Sequence, residues 1–208
     1  MHDVGIYENL ILGIHFLLLK KCKIFDEKTI VRCYTGRSMR INVRKHERRG
    51  YQSIKMSNIL EKQFLKQRND FEKSCVERDK KYHFPQGVIF ETDIAYAKDK
   101  NKAHRLDRYR PKGKEAQILP VIINVHGGGL LLGNKEFNKY FCALLSKKGF
   151  LVYSMEYRLI PDCTFFDQLR DIFLAMDFVK EHAAADGGDL SHVYLVGDSG
   201  GACLATYA

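Results

Sequence analysis

Two β-branched apolar runs each end in a glycine-rich turn, and this constrains the chain more than any other feature. Ile118-Leu119-Pro120-Val121-Ile122-Ile123-Asn124-Val125 runs into His126-Gly127-Gly128-Gly129. His192-Val193-Tyr194-Leu195-Val196 runs into Gly197-Asp198-Ser199-Gly200-Gly201. An apolar run with almost no polar alternation reads as a strand covered on both faces. Glycines at its end let the backbone turn at once and approach a neighbour closely. After Ser199, Ala202-Cys203-Leu204-Ala205-Thr206 can begin a helix. The second motif therefore stands in the strand–turn–helix setting that G-x-S-x-G requires.

The segments between these motifs alternate. Val88 to Tyr96 reads as an early strand, Lys98 to Lys102 as a charged turn, and Ala103 to Tyr109 as an antiparallel partner. Pro111 to Lys114 is a loop. Lys135 to Lys148 predicts a helix stopped by Gly149. Phe150 to Met155 is the next strand. Thr164 caps a helix whose Phe165, Leu169, Ile172, Phe173, Met176 and Val179 keep a helical period to about His182. Strands separated by helices of this length imply βαβ units, an α/β class and a mostly parallel sheet.

The two turns also suggest a chemistry. The elbow lifts the Ser199 oxygen above the sheet and sets the Gly200 N–H beside it. Three glycines after His126 bring further bare N–H groups to the same end of the sheet. Such donors stabilise the negative oxygen that forms when a serine attacks a carbonyl. Ser199 is the candidate nucleophile, with Gly128, Gly129 and Gly200 as candidate oxyanion donors. Glu156 and Arg158 read as a structural ion pair that shapes the loop after a strand. Asp198 reads as an acceptor stabilising its turn, and His182 and His192 as surface residues.

The net charge of +9 sits almost wholly in residues 1–80, which carry +8 against +1 for residues 81–208. It therefore bears little on the two motifs. The basic stretch from Arg32 to Arg49 has no aromatic platform or helix-turn-helix pattern, and a solvated face is expected rather than nucleic-acid binding. Six cysteines are scattered without a CxxC pair, so no zinc site is expected. Residues 1–9 carry acids where a signal peptide has basic residues. Leu10 to Leu19 is too short to span a bilayer and reads as a buried helix. A reducing, cytoplasmic setting without membrane association is the expectation. Two units follow: a basic extension over 1–55 and a domain over 56–208. The domain opens on an amphipathic helix at 57–80, where Leu60, Phe64, Leu65, Phe71 and Cys75 form the apolar stripe.

Residues 57–208 resemble the α/β-hydrolase fold, and within it the carboxylesterases and lipases of the hormone-sensitive-lipase type. The resembling residues are Asp107-Arg108-Tyr109-Arg110-Pro111, His126 to Gly129, Glu156-Tyr157-Arg158-Leu159-Ile160-Pro161 and Gly197 to Gly201. The resemblance implies a serine hydrolase acting on small carboxylic esters through an acyl-serine, without a cofactor. It places the nucleophile at Ser199, the oxyanion amides on the HGGG loop and Gly200, and a helix covering the site at 57–80. Relatives often carry alanine at the position of Gly200 and an aromatic at that of Leu130.

The family triad runs serine, acid, histidine. No Asp, Glu or His follows Ser199 in this sequence. The resemblance thus implies only the N-terminal part of the fold, with the strands beyond the elbow absent and the isolated chain inactive. An uncovered edge on the 192–196 strand and self-association through it are expected. Met56 is an alternative start to Met1. A noncatalytic hydrolase-fold remnant or interaction module is the competing reading. A chymotrypsin-like protease, suggested by Gly-Asp-Ser-Gly-Gly, needs an all-β chain and conflicts with the alternating pattern.

Overall fold

In the computed structural model, three parallel strands form the centre of one sheet. The structure describes residues 58–208 and, before them, the strands Leu17–Cys22 (β1), Val31–Arg32 (β2) and Ser38–Met39 (β3). Most of the expected 1–55 extension lies outside the described residues, as does the junction at Met56. β2 and β3 pair with each other.

The remaining elements are α1 (Asn58–Asp79), β4 (Val88–Ala95), β5 (Arg105–Pro111), β6 (Leu119–Val125), a 3-10 turn (Lys135–Asn138), α2 (Lys139–Lys147), β7 (Leu151–Met155), α3 (Phe165–His182), β8 (Gly188–Asp198) and α4 (Ser199–Tyr207). The large sheet has the order β1-β8-β6-β7-β5-β4. β6 is parallel to both β7 and β8, whereas β5 is antiparallel to β7 and to β4. The expected α/β class is found, in a mixed sheet that is parallel at its centre.

Side-chain alternation along the central strands sorts the core into two layers. Val121, Ile123, Val125, Leu151, Tyr153, Met155, Val193 and Leu195 face α3 and α4, meeting Leu169, Ile172, Val179 and Leu204. Ile122, Val152 and Val196 point the other way, onto Phe141 and Cys142 of α2. Each fully buried aliphatic side chain here contributes about 1.5–3 kcal/mol. Burial also pushes the Cys142 thiol up to about 12, so it behaves as a small apolar group. α3 starts in a capping box: the Asp167 N–H donates to Thr164 Oγ1 at 3.2 Å, and the Thr164 N–H donates to Asp167 Oδ2 at 2.8 Å.

Two expectations change. The β8 edge is not left uncovered along 193–198, because β1 lies antiparallel on it from Leu17 opposite Asp198 to Cys22 opposite Val193. The Leu17–Leu19 end of the apolar run is therefore strand and not helix, while residues 10–16 lie outside the described residues. Leucine favours helix only weakly, and an open strand edge offers a row of unpaired backbone groups that outweighs it.

The stripe on α1 is also narrower than expected. Phe64, Arg68, Phe71, Cys75, Arg78 and Asp79 are the half-buried positions, whereas Leu60 and Leu65 are exposed. A lone helix on a domain surface touches it along one ridge of three- and four-residue steps, and Leu65 lies a third of a turn off that ridge. Among the described residues, no helix is long and apolar enough to cross a membrane.

Candidate active site

β6 and β8 are hydrogen-bonded neighbours with Val125 opposite Gly197, so the turns that follow them emerge side by side. The contact between these turns depends on missing side chains. A Cβ on Gly201 would overlap the carbonyl oxygens of Val125 and His126. One on Gly197 would strike the Gly201 backbone, and one on Gly127 would strike Asp198. The HGGG loop and the elbow are thus pressed together backbone to backbone. The structure brings together all four residues singled out from the sequence.

Ser199 takes φ +47°, a left-handed conformation unusual for serine, at the first position of α4. Its side chain is exposed. Asp198 precedes the helix in extended conformation but makes no side-chain cap bond to it. Its Oδ1 instead accepts from the Gly127 N–H at 2.9 Å and from Asn138 Nδ2 at 2.7 Å. The acceptor expected to steady its own turn therefore steadies the neighbouring loop. Diverting it leaves the leading N–H groups of α4, Gly200 among them, without a side-chain cap. The N-terminal end of the helix also favours negative charge.

The HGGG loop is held from beneath. His126 is fully buried, with Nδ1 2.7 Å from the Gly127 carbonyl and Nε2 3.0 Å from Glu156 Oε1. Both neighbours are acceptors, an arrangement that favours a proton on each ring nitrogen. Burial opposes the resulting charge. The Glu156 carboxylate, the Gly127 carbonyl and Asp198 outweigh it and raise the pKa above the ordinary histidine value. Tyr157 stacks on the ring at 4.3 Å and donates to the His126 carbonyl at 2.8 Å. The second Glu156 oxygen accepts from the Lys135 N–H at 3.0 Å.

The expected ion pair between Glu156 and Arg158 is not formed. Glu156 turns to His126, and Arg158 turns to the buried Asp171, at 2.6 Å from NH2 to Oδ1. Both are structural, but they fasten different segments: Glu156 holds the HGGG loop through His126 and the Lys135 N–H, and Arg158 is tied to α3 through Asp171. His182 and His192 are exposed, as expected.

Sequence reasoning missed several supports. Gln168 on α3 donates through Nε2 to the Leu130 and Arg158 carbonyls, both at 2.9 Å. Arg68 on α1 donates to the Leu131 carbonyl at 3.0 Å, the Ile160 carbonyl at 2.9 Å and the Asp162 carboxylate at 2.7 Å. Asn138 joins Asp198 to Asn124, which itself donates to Ser154 Oγ at 3.1 Å. One signal was available: Asn124 interrupts an apolar strand, and a buried amide there needs partners.

Among the described residues, no group of His, Cys, Asp and Glu is placed to hold a metal. The BD-FAE family model matches residues 106–208. The described residues carry the N-terminal part of the α/β-hydrolase fold. The chain is 32% identical over 105 residues to isoprenylcysteine alpha-carbonyl methylesterase of Arabidopsis thaliana, covering 50% of this chain and 24% of that protein. It is 31% identical over 98 residues to the versiconal hemiacetal acetate esterase of Dothistroma septosporum, covering 47% and 30%. Esterase B of Lactobacillus rhamnosis, solved with a tributyrin phosphonate inhibitor, superimposes with a TM-score of 0.61 at 32% identity. That match covers 69% of this chain and 48% of the esterase. The chain thus spans 24–30% of the length of these curated relatives and just under half of the solved esterase.

Proposed function

We propose that this chain carries the nucleophile and oxyanion-binding half of a serine esterase for small carboxylic esters. The observation that carries the reading is the abutment of the two turns. A Cβ on Gly200 would stand 3.1 Å from the Gly129 nitrogen, so loop and elbow amides share one small space beside Ser199. The esterases named above add support from similarity.

On this reading Ser199 Oγ bonds to the ester carbon, and the carbonyl π pair moves onto oxygen. The N–H groups of Gly128, Gly129 and Gly200 stabilise that charge. Collapse then breaks the bond to the alcohol and leaves an acyl-serine, which water cleaves. Preset donors of this kind contribute roughly 3–4 kcal/mol each to lowering the barrier.

The serine proton needs a base. Both nitrogens of His126 are engaged, and no Asp, Glu or His follows Ser199 in these 208 residues. The 208-residue chain by itself is therefore expected to turn over no ester. This same observation favours a second reading, a hydrolase-fold module without chemistry.

A short-chain fluorophosphonate separates the two at alkaline pH, where hydroxide can take the serine proton. Peptide mapping should find slow labelling at Ser199 that is abolished in Ser199→Ala. Hydrolysis of nitrophenyl butyrate should not differ between the two proteins. No labelling at Ser199 overturns the esterase reading, and Ser199-dependent turnover overturns the inactivity.

A further inference from the structure

Both backbone groups of Gly127, the first glycine of the HGGG loop, are held. Each hold leads away along its own chain of hydrogen bonds, and the two chains end on one residue. From the Gly127 carbonyl the first runs through the two ring nitrogens of His126 to Glu156 Oε1, and from Glu156 Oε2 to the Lys135 N–H. From the Gly127 N–H the second runs through Asp198 Oδ1 to the Asn138 amide and on to Asn124 Oδ1, at 3.5 Å the longest link. Asn124 Nδ2 donates to Ser154 Oγ, which donates in turn to the Lys135 carbonyl at 2.9 Å. The ring thus starts at Gly127 and closes on the backbone of Lys135.

Lys135 has an anchor of its own. Its side chain is buried, with Nζ 3.0 Å from Asp107 Oδ1, 3.0 Å from Asp93 Oδ1 and paired with the Glu136 carboxylate. Asp107 in β5 is buried too, and its Oδ1 also accepts from the Asp93 N–H at 3.0 Å. Among the described residues, Lys135 is the only cation at ion-pair distance from Asp107. Burial works against an ammonium here. Hydrogen bonds to Glu136, Asp107 and Asp93 outweigh it and raise the pKa above the ordinary lysine value, so the cation persists at alkaline pH.

Resting on the esterase reading, we propose that Lys135 is a positioning residue for attack on the ester: its buried ammonium fixes the 3-10 turn from which both holds on Gly127 are set. It acts through Glu156 and Ser154, not on the substrate. Oxyanion donors have to stay within about 0.5 Å of their productive place. Play in the Lys135 backbone is passed to Gly127 along both chains, and from there to the adjoining Gly128 and Gly129 N–H groups.

The test is labelling of the 208-residue chain by a short-chain fluorophosphonate at alkaline pH, followed over a range of probe concentrations. Ser199 Oγ bonds to phosphorus, the P–F bond breaks, fluoride leaves and hydroxide takes the serine proton. Lys135→Met alone would strand the Asp107 carboxylate, so it is combined with Asp107→Asn. Removing a buried ion pair as a unit changes stability far less than removing one partner, and here it leaves every member of the ring in place. In the double variant the saturating rate should fall at least about tenfold while the half-saturating concentration is unchanged. The backbone amide resonance of Gly127 should move as well. A purely structural role would lower the melting temperature and shift neither the rate of the folded protein nor that resonance. A folded double variant with the parental saturating rate, or with an unmoved Gly127 resonance, overturns the proposal while Ser199 stays the nucleophile. If the double variant fails to fold, Ser154→Ala, which frees the Lys135 carbonyl, decides alone: the same slowing is expected, and an unchanged rate overturns the proposal. A parent that is never labelled at Ser199 sinks the esterase reading and this proposal together.

Discussion

Asp198 Oδ1 accepts the Gly127 N–H at 2.9 Å, so the residue before Ser199 holds the first glycine of the opposing loop. The bond crosses between the two turns and is shared with Asn138. Asp198→Ala leaves the Gly127 N–H and the Asn138 amide without this acceptor. A loss of about 1–3 kcal/mol in unfolding free energy is expected. Asp198→Asn retains one acceptor oxygen and should lose less. Urea titrations of the three proteins check the order, and an alanine variant as stable as the parent contradicts it.

The glycines of the two motifs do different work, and substitution separates them. Gly201 has no room for a methyl, because the Val125 and His126 carbonyl oxygens occupy its place. Gly201→Ala should cost more than about 4 kcal/mol. Gly129 has nothing within 4 Å of its Cβ direction but sits at φ +62°. Gly129→Ala should cost only the left-handed strain, about 1–2 kcal/mol. Thermal melts decide between steric and conformational demand, and equal losses at the two sites contradict this division.

His126 ties stability to pH. Its pKa is raised in the folded protein above about 6.5, the ordinary value that applies to the unfolded chain. A raised pKa means that the folded state binds the proton more tightly. The resulting stabilisation is complete below about pH 6.5 and disappears as pH climbs through the folded pKa. Glu156→Gln removes the carboxylate that draws the proton. The parent should therefore lose stability across the window just above about pH 6.5, and the variant should lose less. Chemical denaturation at pH 6 and pH 8 measures the difference. Parallel profiles in the two proteins show that His126 does not titrate as described.

Much of this architecture is legible in the residue pattern, because its strongest signals are local. Largely apolar runs give β6, β7 and β8, and Thr164 with Asp167 marks the start of α3. The glycine turns mark where the strands stop. Contacts made across the fold leave no such mark. Arg158 and Glu156 are neighbours of opposite charge, yet they serve Asp171 and His126, residues that only the folded chain brings near. Arg68 looks like one more surface arginine on a charged helix. The narrow seam of α1 is set by how little of the domain it touches, and its own periodicity cannot show that.

Arg68 is the residue through which α1 reaches the HGGG loop. Its guanidinium binds the Leu131 and Ile160 carbonyls and the Asp162 carboxylate, with its side chain largely covered. Elsewhere α1 is secured further along, by Phe71 against Phe137 at 5.2 Å and by Tyr140 donating to the Asp79 carbonyl at 3.1 Å. Losing the arginine should thus free the N-terminal half of the helix, where Ile59, Leu60 and Leu65 are exposed, and leave the second half docked. Arg68→Ala should raise hydrogen exchange over residues 58–68 and at the Leu131–Leu132 amides while residues 71–79 keep their protection. Arg68→Lys keeps the charge but cannot hold two carbonyls and a carboxylate in one plane, so it should give most of the same effect. Exchange that rises along the whole helix would mean that Arg68 anchors α1 as a unit, and unchanged exchange that it anchors nothing.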